Sequence, residues 1–232
     1  MSIIKMNSNS AEILAKWYLR FNGYFIVDNF IVHAGDDKSR ISKTIIGNHT
    51  ETDILAIRHK FSKEITGTLQ IQNDPKIICD KDSKIDFIIA EVKTGNQDKP
   101  NKLWVEKRIP VIEYILRFVG FIETEDEISK IANELANGGV YLSDDLAFSI
   151  RLVLISENSP NKNWQHLVNI RFADIVDFLV DVRGQCWVTE NIGTASIHYQ
   201  WDDLIVSIFS IANNQDISIE ERKESIQKLL QG

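Results

Sequence analysis

The stretch Ile85-Asp-Phe-Ile-Ile-Ala-Glu-Val-Lys-Thr-Gly95 constrains the fold of this chain more than any other. Its apolar run reads as a buried strand that ends on a carboxylate, Glu91, and an ammonium, Lys93. Side chains on a strand alternate between its faces, so these two charges share one face. Burying unpaired charge at a strand end is costly, and folding alone gives no reason to place two charged groups there. A divalent metal and a phosphate would supply the reason. Upstream, Thr50-Glu-Thr-Asp-Ile-Leu-Ala-Ile-Arg58 reads as a second apolar strand, and it carries Asp53.

Spacing alone does not single out Glu91 and Lys93. An acid two residues before a lysine recurs at Asp36/Lys38, Asp74/Lys76, Asp82/Lys84 and Glu221/Lys223. Those four lie in polar or loop-like stretches, where a solvated surface is the expectation. Glu91/Lys93 follows an apolar strand and has an acid on a preceding apolar strand, so its context carries the signal.

The chain has 232 residues, enough for one large domain with a substantial core. The strand pattern favours a single domain over 1–232, with a core at 9–156 and a mostly helical extension at 157–232. Cys79 and Cys186 are too few and too far apart for a disulfide framework or a zinc site, which favours buried thiols in a reducing compartment. Met1 to Ser10 lacks the apolar core of a signal peptide, and no apolar run approaches the ~20 residues of a membrane span. The expected location is the cytoplasm, with no membrane partner. A net charge of −7 argues against non-specific nucleic-acid binding but leaves room for a local basic groove.

Ser10 to Gly23 reads as a helix, capped by Ser8 or Ser10, with Ile13, Leu14, Trp17, Tyr18 and Phe21 on its buried stripe. Tyr24 to His33 reads as a strand or a bent strand pair, followed by a polar loop to Asn48. Between His59 and Lys84, short strands are expected at Thr66–Ile71 and Lys76–Cys79, with a turn at Asn73-Asp-Pro75. A polar loop over 95–101 leads to a helix at Val111–Val119, and a second helix runs from Asp126 to Asn137. Ser149–Ser156 has the continuous apolar character of a strand covered on both faces. A short strand at Leu167–Ile170 and helices at Phe172–Val182, Trp201–Ala212 and Ser218–Leu230 complete the chain. The fold class is therefore α/β, with a mixed central sheet flanked by helices and a helical C-terminal part.

This order is helix with an acid, strand, strand with Asp53, strand ending in Glu91-x-Lys93, then helix. It resembles the core of the PD-(D/E)xK nuclease superfamily, which includes many restriction endonucleases and archaeal Holliday-junction resolvases. The resemblance covers roughly Ser10 to Phe118. It implies that Asp53 and Glu91 bind metal, that Lys93 is the catalytic lysine, and that Glu12 matches an extra acid on the first helix of several branches. Two departures stand out: Thr52 replaces the proline of the family name, and the 59–84 segment looks inserted.

The resemblance implies a Mg²⁺-dependent phosphodiesterase acting on nucleic acid, DNA ahead of RNA, with Mn²⁺ able to substitute. It also allows a homodimer, since family members often pair to cut two strands. The rival is a non-catalytic member of the fold that binds nucleic acid or protein. Lys107 and Arg108, just before the helix that follows the site, are candidate phosphate contacts. Arg117 sits in an apolar helix and needs a buried acid or a substrate as its partner. The five histidines lack ligand spacing, and Trp104, Trp164, Trp187 and Trp201 are expected to pack rather than stack on bases.

Overall fold

The structure is a computed structural model. It describes residues 7–33, 50–63, 65–66, 69–79, 83–95, 108–159, 164–184, 186 and 202–231. The expected loops at 34–48 and 95–101 fall largely outside these residues, as do Trp104, Trp187 and Trp201.

A six-stranded mixed sheet forms the centre. It contains β1 (Phe25–Val32), β2 (Thr50–His59), β5 (Ile85–Lys93), β7 (Phe148–Ser156), β6 (Val140–Leu142) and β8 (Val168–Arg171). The order is β1-β2-β5-β7, with β6 and β8 both paired to the far side of β7. β1, β2 and β5 are successively antiparallel, whereas β5 and β7 run parallel over nine residue pairs, Ile85↔Phe148 to Lys93↔Ser156. A parallel pair needs a crossover. Here it is made by helices α2 (Arg108–Val119) and α3 (Glu125–Gly138) together with β6.

Each face of the sheet is covered. Helix α1 (Ser8–Phe21), α4 (Phe172–Phe178), α5 (Asp203–Ala212) and α6 (Ile219–Gln231) pack on one face, against Ile54, Ala56, Ile88, Ala90, Val153 and Ile155. Helices α2 and α3 pack on the other, against Leu55, Phe87, Ile89, Ile150, Leu152 and Leu154. Burial on both sides is why β5 and β7 read as unbroken apolar runs. The expected α/β architecture with flanking and C-terminal helices is what the chain forms. The C-terminal part also contributes β8 to the sheet and closes the α1 side of the core.

Local details depart from the sequence expectations. Asn7, not Ser8 or Ser10, caps α1, its side chain accepting from the Asn9 amide. Residues 75–78 form a turn rather than a strand, and the described residues of the 65–70 segment form the two-residue strands β3 (Ile65–Thr66) and β4 (Leu69–Gln70). Asp74 is not on a solvated surface. It is buried, accepts from Tyr18 Oη at 2.8 Å, and through its own amide bonds Asn22 Oδ1, fastening this segment to α1. The helix expected at Phe172–Val182 forms as α4 followed by a π-helical turn at Leu179–Arg183. Gly139 ends α3 with φ +73°, and a Cβ there would lie 2.5 Å from the His166 carbonyl oxygen, so two requirements converge on glycine.

At the start of β5 a buried ion pair is fully hydrogen-bonded. Arg151 donates through Nε to Asp86 Oδ1 at 2.9 Å, while Tyr24 Oη and Ser149 Oγ donate to the same carboxylate. Removing one partner of such a pair strands the other charge in the core, at about 3–5 kcal/mol. Arg151→Met is therefore expected to lower the unfolding free energy by that amount in urea titration. The double variant Asp86→Leu/Arg151→Met is expected to lose less than the sum of the two single losses.

Candidate functional site

Asp53 sits two positions before Leu55 on β2, and Glu91 and Lys93 follow Phe87 and Ile89 on β5 by the same two-residue step. Phe87 and Ile89 pack toward α2 and α3, so alternation turns Glu91 and Lys93 to that face, and Asp53 reaches Lys93 from the neighbouring strand. The β2–β5 ladder ends at Ile54↔Ala90. Beyond it the Val92 amide donates to Asp53 Oδ2 at 2.5 Å. A carboxylate thus takes a main-chain donor at the place where the two strands stop pairing.

Lys93 Nζ lies 2.8 Å from Glu91 Oε2 and 3.8 Å from Asp53 Oδ2. Glu91 and Lys93 are only 4% and 7% exposed, so this is a desolvated group of charges. On the other flank, Glu91 and Lys93 pair along the backbone with Leu154 and Ser156 of β7. Burial raises the Asp53 pKa above the usual carboxylate value, against the opposing pull of Lys93 and the Val92 amide. Burial disfavours the Lys93 ammonium, yet Glu91, Asp53 and Glu12 more than offset it and raise its pKa.

Glu12 lies on α1, in the opposite layer, and joins the group through its charge. Its pKa is raised by burial, then by Asp53 and Glu51, with Lys16 and Lys93 opposing. The structure therefore brings Asp53, Glu91 and Lys93 together and couples Glu12 to them electrostatically. Lys107 falls outside the described residues. Arg108 starts α2, but its contacts lead elsewhere: it hydrogen-bonds His166 Nε2 at 3.0 Å and lies over the Trp164 ring. Burial there lowers its pKa to about 10. Trp164 itself packs in the core, as the sequence predicts. Arg117 is exposed on α2 and holds Glu125 through two nitrogens, so its partner is a surface acid rather than a buried one or a substrate.

One residue beside the site has no counterpart in the sequence reading. Asp28 pairs with Ile54 and Phe30 with Thr52, which sets Asn29 across from Asp53. Asn29 has φ +52°, in the left-handed region. Ile26 and Asp28 face α1, the latter bonded to Lys16, whereas Phe30 and Val32 pack toward α2 and α3. The left-handed residue therefore turns β1 over. The signal was present in the polar pair Asp28-Asn29 inside an apolar run, because asparagine tolerates this conformation better than most residues.

The carboxylates of Asp53 and Glu91 are hard oxygen donors that already gather around a cation, the Lys93 ammonium. This suits a Mg²⁺ ion, which keeps several waters and needs few protein ligands. Among the described residues, no three or more His, Cys, Asp or Glu side chains group into a ready-made metal site. No described helix is long and apolar enough to cross a membrane. No protein-family model, curated protein or solved structure matches the chain.

A raised carboxylate pKa means that the ionised form is less favourable in the fold than in the unfolded chain. The stability Asp53 gains by staying protonated is full below its unfolded value and is lost as pH rises through the higher folded value. At neutral pH, Asp53→Asn is expected to leave the metal-free melting temperature level or higher, because the amide oxygen still accepts from Val92. Asp53→Ala orphans that amide and is expected to cost about 1–3 kcal/mol. Thermal unfolding of both variants in EDTA checks the contrast.

Proposed function

We propose that the chain is a Mg²⁺-dependent phosphodiesterase acting on nucleic acid, with DNA the favoured substrate. The observation that carries this reading is the meeting of Asp53, Glu91 and Lys93 where β2 and β5 part. The order α1, three antiparallel strands, helical crossover and parallel β7 supports it too, because it extends the resemblance noted from the sequence to the arrangement of the sheet.

Asp53 and Glu91 would hold the ion, and Glu12 is close enough in charge to act through water. Bound Mg²⁺ would acidify a water and offset charge on the scissile phosphate. Lys93 provides a fixed ammonium beside the reacting phosphate, where it can position the attacking water or stabilise the charge that develops. Burial makes that ammonium more effective, since the surrounding dielectric is low. Glu91 and Asp53 keep it protonated. The organism's reducing interior is the proposed location, and a homodimer would let two sites act on two strands.

A non-catalytic binding module is the competing reading. It is favoured by one observation: the Lys93 ammonium, 2.8 Å from Glu91 and 3.8 Å from Asp53, already offsets part of their charge from within the chain. Calorimetric titration with Mg²⁺ separates the two, because a binding module has no use for a carboxylate-dependent ion.

Lys93→Met is expected to abolish nicking of supercoiled plasmid in Mg²⁺ or Mn²⁺, with a loss of at least ~10²–10³ in rate. It also leaves Glu91 and Asp53 without their internal cation, so Mg²⁺ should stabilise this variant more than the wild type. Full nicking by Lys93→Met would defeat the assignment. In the wild type, affinity for Mg²⁺ should weaken as pH falls through the raised pKa values of Asp53 and Glu12, because protons then compete with the ion. Calorimetry at a series of pH values checks this, and a flat profile would exclude both acids as ligands.

A further inference from the structure

Where β2 finishes and β5 begins, at the opposite end of β5 from Glu91 and Lys93, a cavity of about 230 Å³ opens. Its walls include Arg58 of β2, Lys60 and Phe61 just past it, Ile78 and Cys79 of the turn that follows Asp74, and Asp86 of β5. A water takes up about 30 Å³, so the space holds roughly seven waters or one small organic molecule.

The charges around this cavity do not balance. Arg58 is 8% exposed. It donates through Nε to the Asn22 carbonyl at 2.9 Å and through a terminal nitrogen to the Ser62 carbonyl at 2.9 Å. Both acceptors are uncharged, and among the described residues no acid forms an ion pair with Arg58. Asp86 lies across from it in the β2–β5 ladder, but that carboxylate is already held by Arg151 Nε at 2.9 Å, by Tyr24 and by Ser149. Two buried guanidiniums thus share one buried carboxylate, and one positive charge is left over at the cavity wall. Charge buried without a counter-charge is expensive. The surplus guanidinium is also fixed in place. Two carbonyls hold it, and Gly23 packs so close that a Cβ there would lie 3.4 Å from Arg58 Nε. A group held in this way loses little freedom when a ligand binds.

We infer that this cavity binds a small organic anion, with its carboxylate or phosphate head on Arg58 and its apolar body against Ile78 and Phe61. A guanidinium has further N–H donors beyond the two used here, in a fork that matches either oxyanion. Lys60 adds a second cation to the same wall. A bare oxyanion would leave much of the space unfilled. Phe61 is 79% exposed, with the Lys60 ammonium 5.5 Å from its ring centre, so it offers the body of the ligand a flat apolar wall at the rim. The inference stands apart from the phosphodiesterase reading, because none of its residues belongs to the group at Asp53.

Cys79 reports occupancy, since it lines the cavity, and Cys186 serves as the internal control. The full chain in EDTA is alkylated with iodoacetamide, and each cysteine is followed by mass spectrometry. The probes are phenyl phosphate, benzoate and inorganic phosphate, with sodium chloride at matched ionic strength. At ten times its Kd, phenyl phosphate or benzoate is expected to slow alkylation of Cys79 roughly tenfold by mass action and to leave Cys186 unchanged. Whichever of the two binds tighter by calorimetry identifies the head group. Arg58→Lys keeps the charge but loses the fork, and should weaken binding about tenfold. Phe61→Ala should bind inorganic phosphate as the wild type does and lose the added affinity for phenyl phosphate. Lys93→Met should bind all three probes unchanged. If the melting temperature shows that Arg58→Lys does not fold, Phe61→Ala and the protection of Cys79 in the wild type decide. Absence of binding by both organic anions, or equal protection of Cys79 by sodium chloride, would overturn the inference. So would binding that is lost in Lys93→Met, which would place the anion at the other end of the strand.

Discussion

Strand β5 is buried from Asp86 to Lys93, between β2 and β7 and beneath helices on both faces. Every charged group on it must therefore find its compensation inside the protein, because water cannot supply it. The two ends of the strand meet this demand differently. At the start, Asp86 is closed off by Arg151, Tyr24 and Ser149, all with good geometry. At the end, Glu91 and Asp53 share one ammonium from the same strand, and Asp53 keeps a raised pKa. The first arrangement is a finished structural joint. The second holds more carboxylate than it can fully neutralise, which is the electrostatic condition a bound cation relieves.

The layering extends this contrast. Helix α1 lies on the face opposite Glu91 and Lys93, yet the Glu12 carboxylate feels Asp53 and Lys93. The site thus belongs to the end of the sheet rather than to one face. A group at a sheet end can draw on both helical layers and still reach solvent.

Much of this was legible in the chain. The uninterrupted apolar runs at 85–93 and 149–156 announced strands covered on both sides, and the two-residue step between Glu91 and Lys93 fixed a shared face. What escaped depends on partners far away in sequence. Asp74 looks like a turn residue until Tyr18 and Asn22 reach it from α1. Arg117 sits among apolar neighbours but on the outward side of α2, where Glu125 from the next helix meets it. Arg108 precedes a helix near the site in sequence, yet Trp164 and His166 from beyond β7 claim it. Strand β6 is only three residues long, too short for alternation to be read. The site's acids were found because they interrupt apolar strands, and Asn29 was missed because no rule of alternation looks for a residue that changes face.

The Asp86–Arg151 joint bears on more than the core around it. β5 and β7 are parallel with one unbroken register, so a single offset governs every pair along them. Asp86 and Glu91 are five residues apart, roughly 17 Å on an extended strand. A shift of one residue would separate Asp86 from Arg151 at one end and turn Glu91 and Lys93 to the wrong face at the other. The buried pair acts as an index mark: it selects the one alignment in which the distant charges meet. Substitutions among the apolar residues between them can soften the strand, but the alignment is encoded at its quiet end.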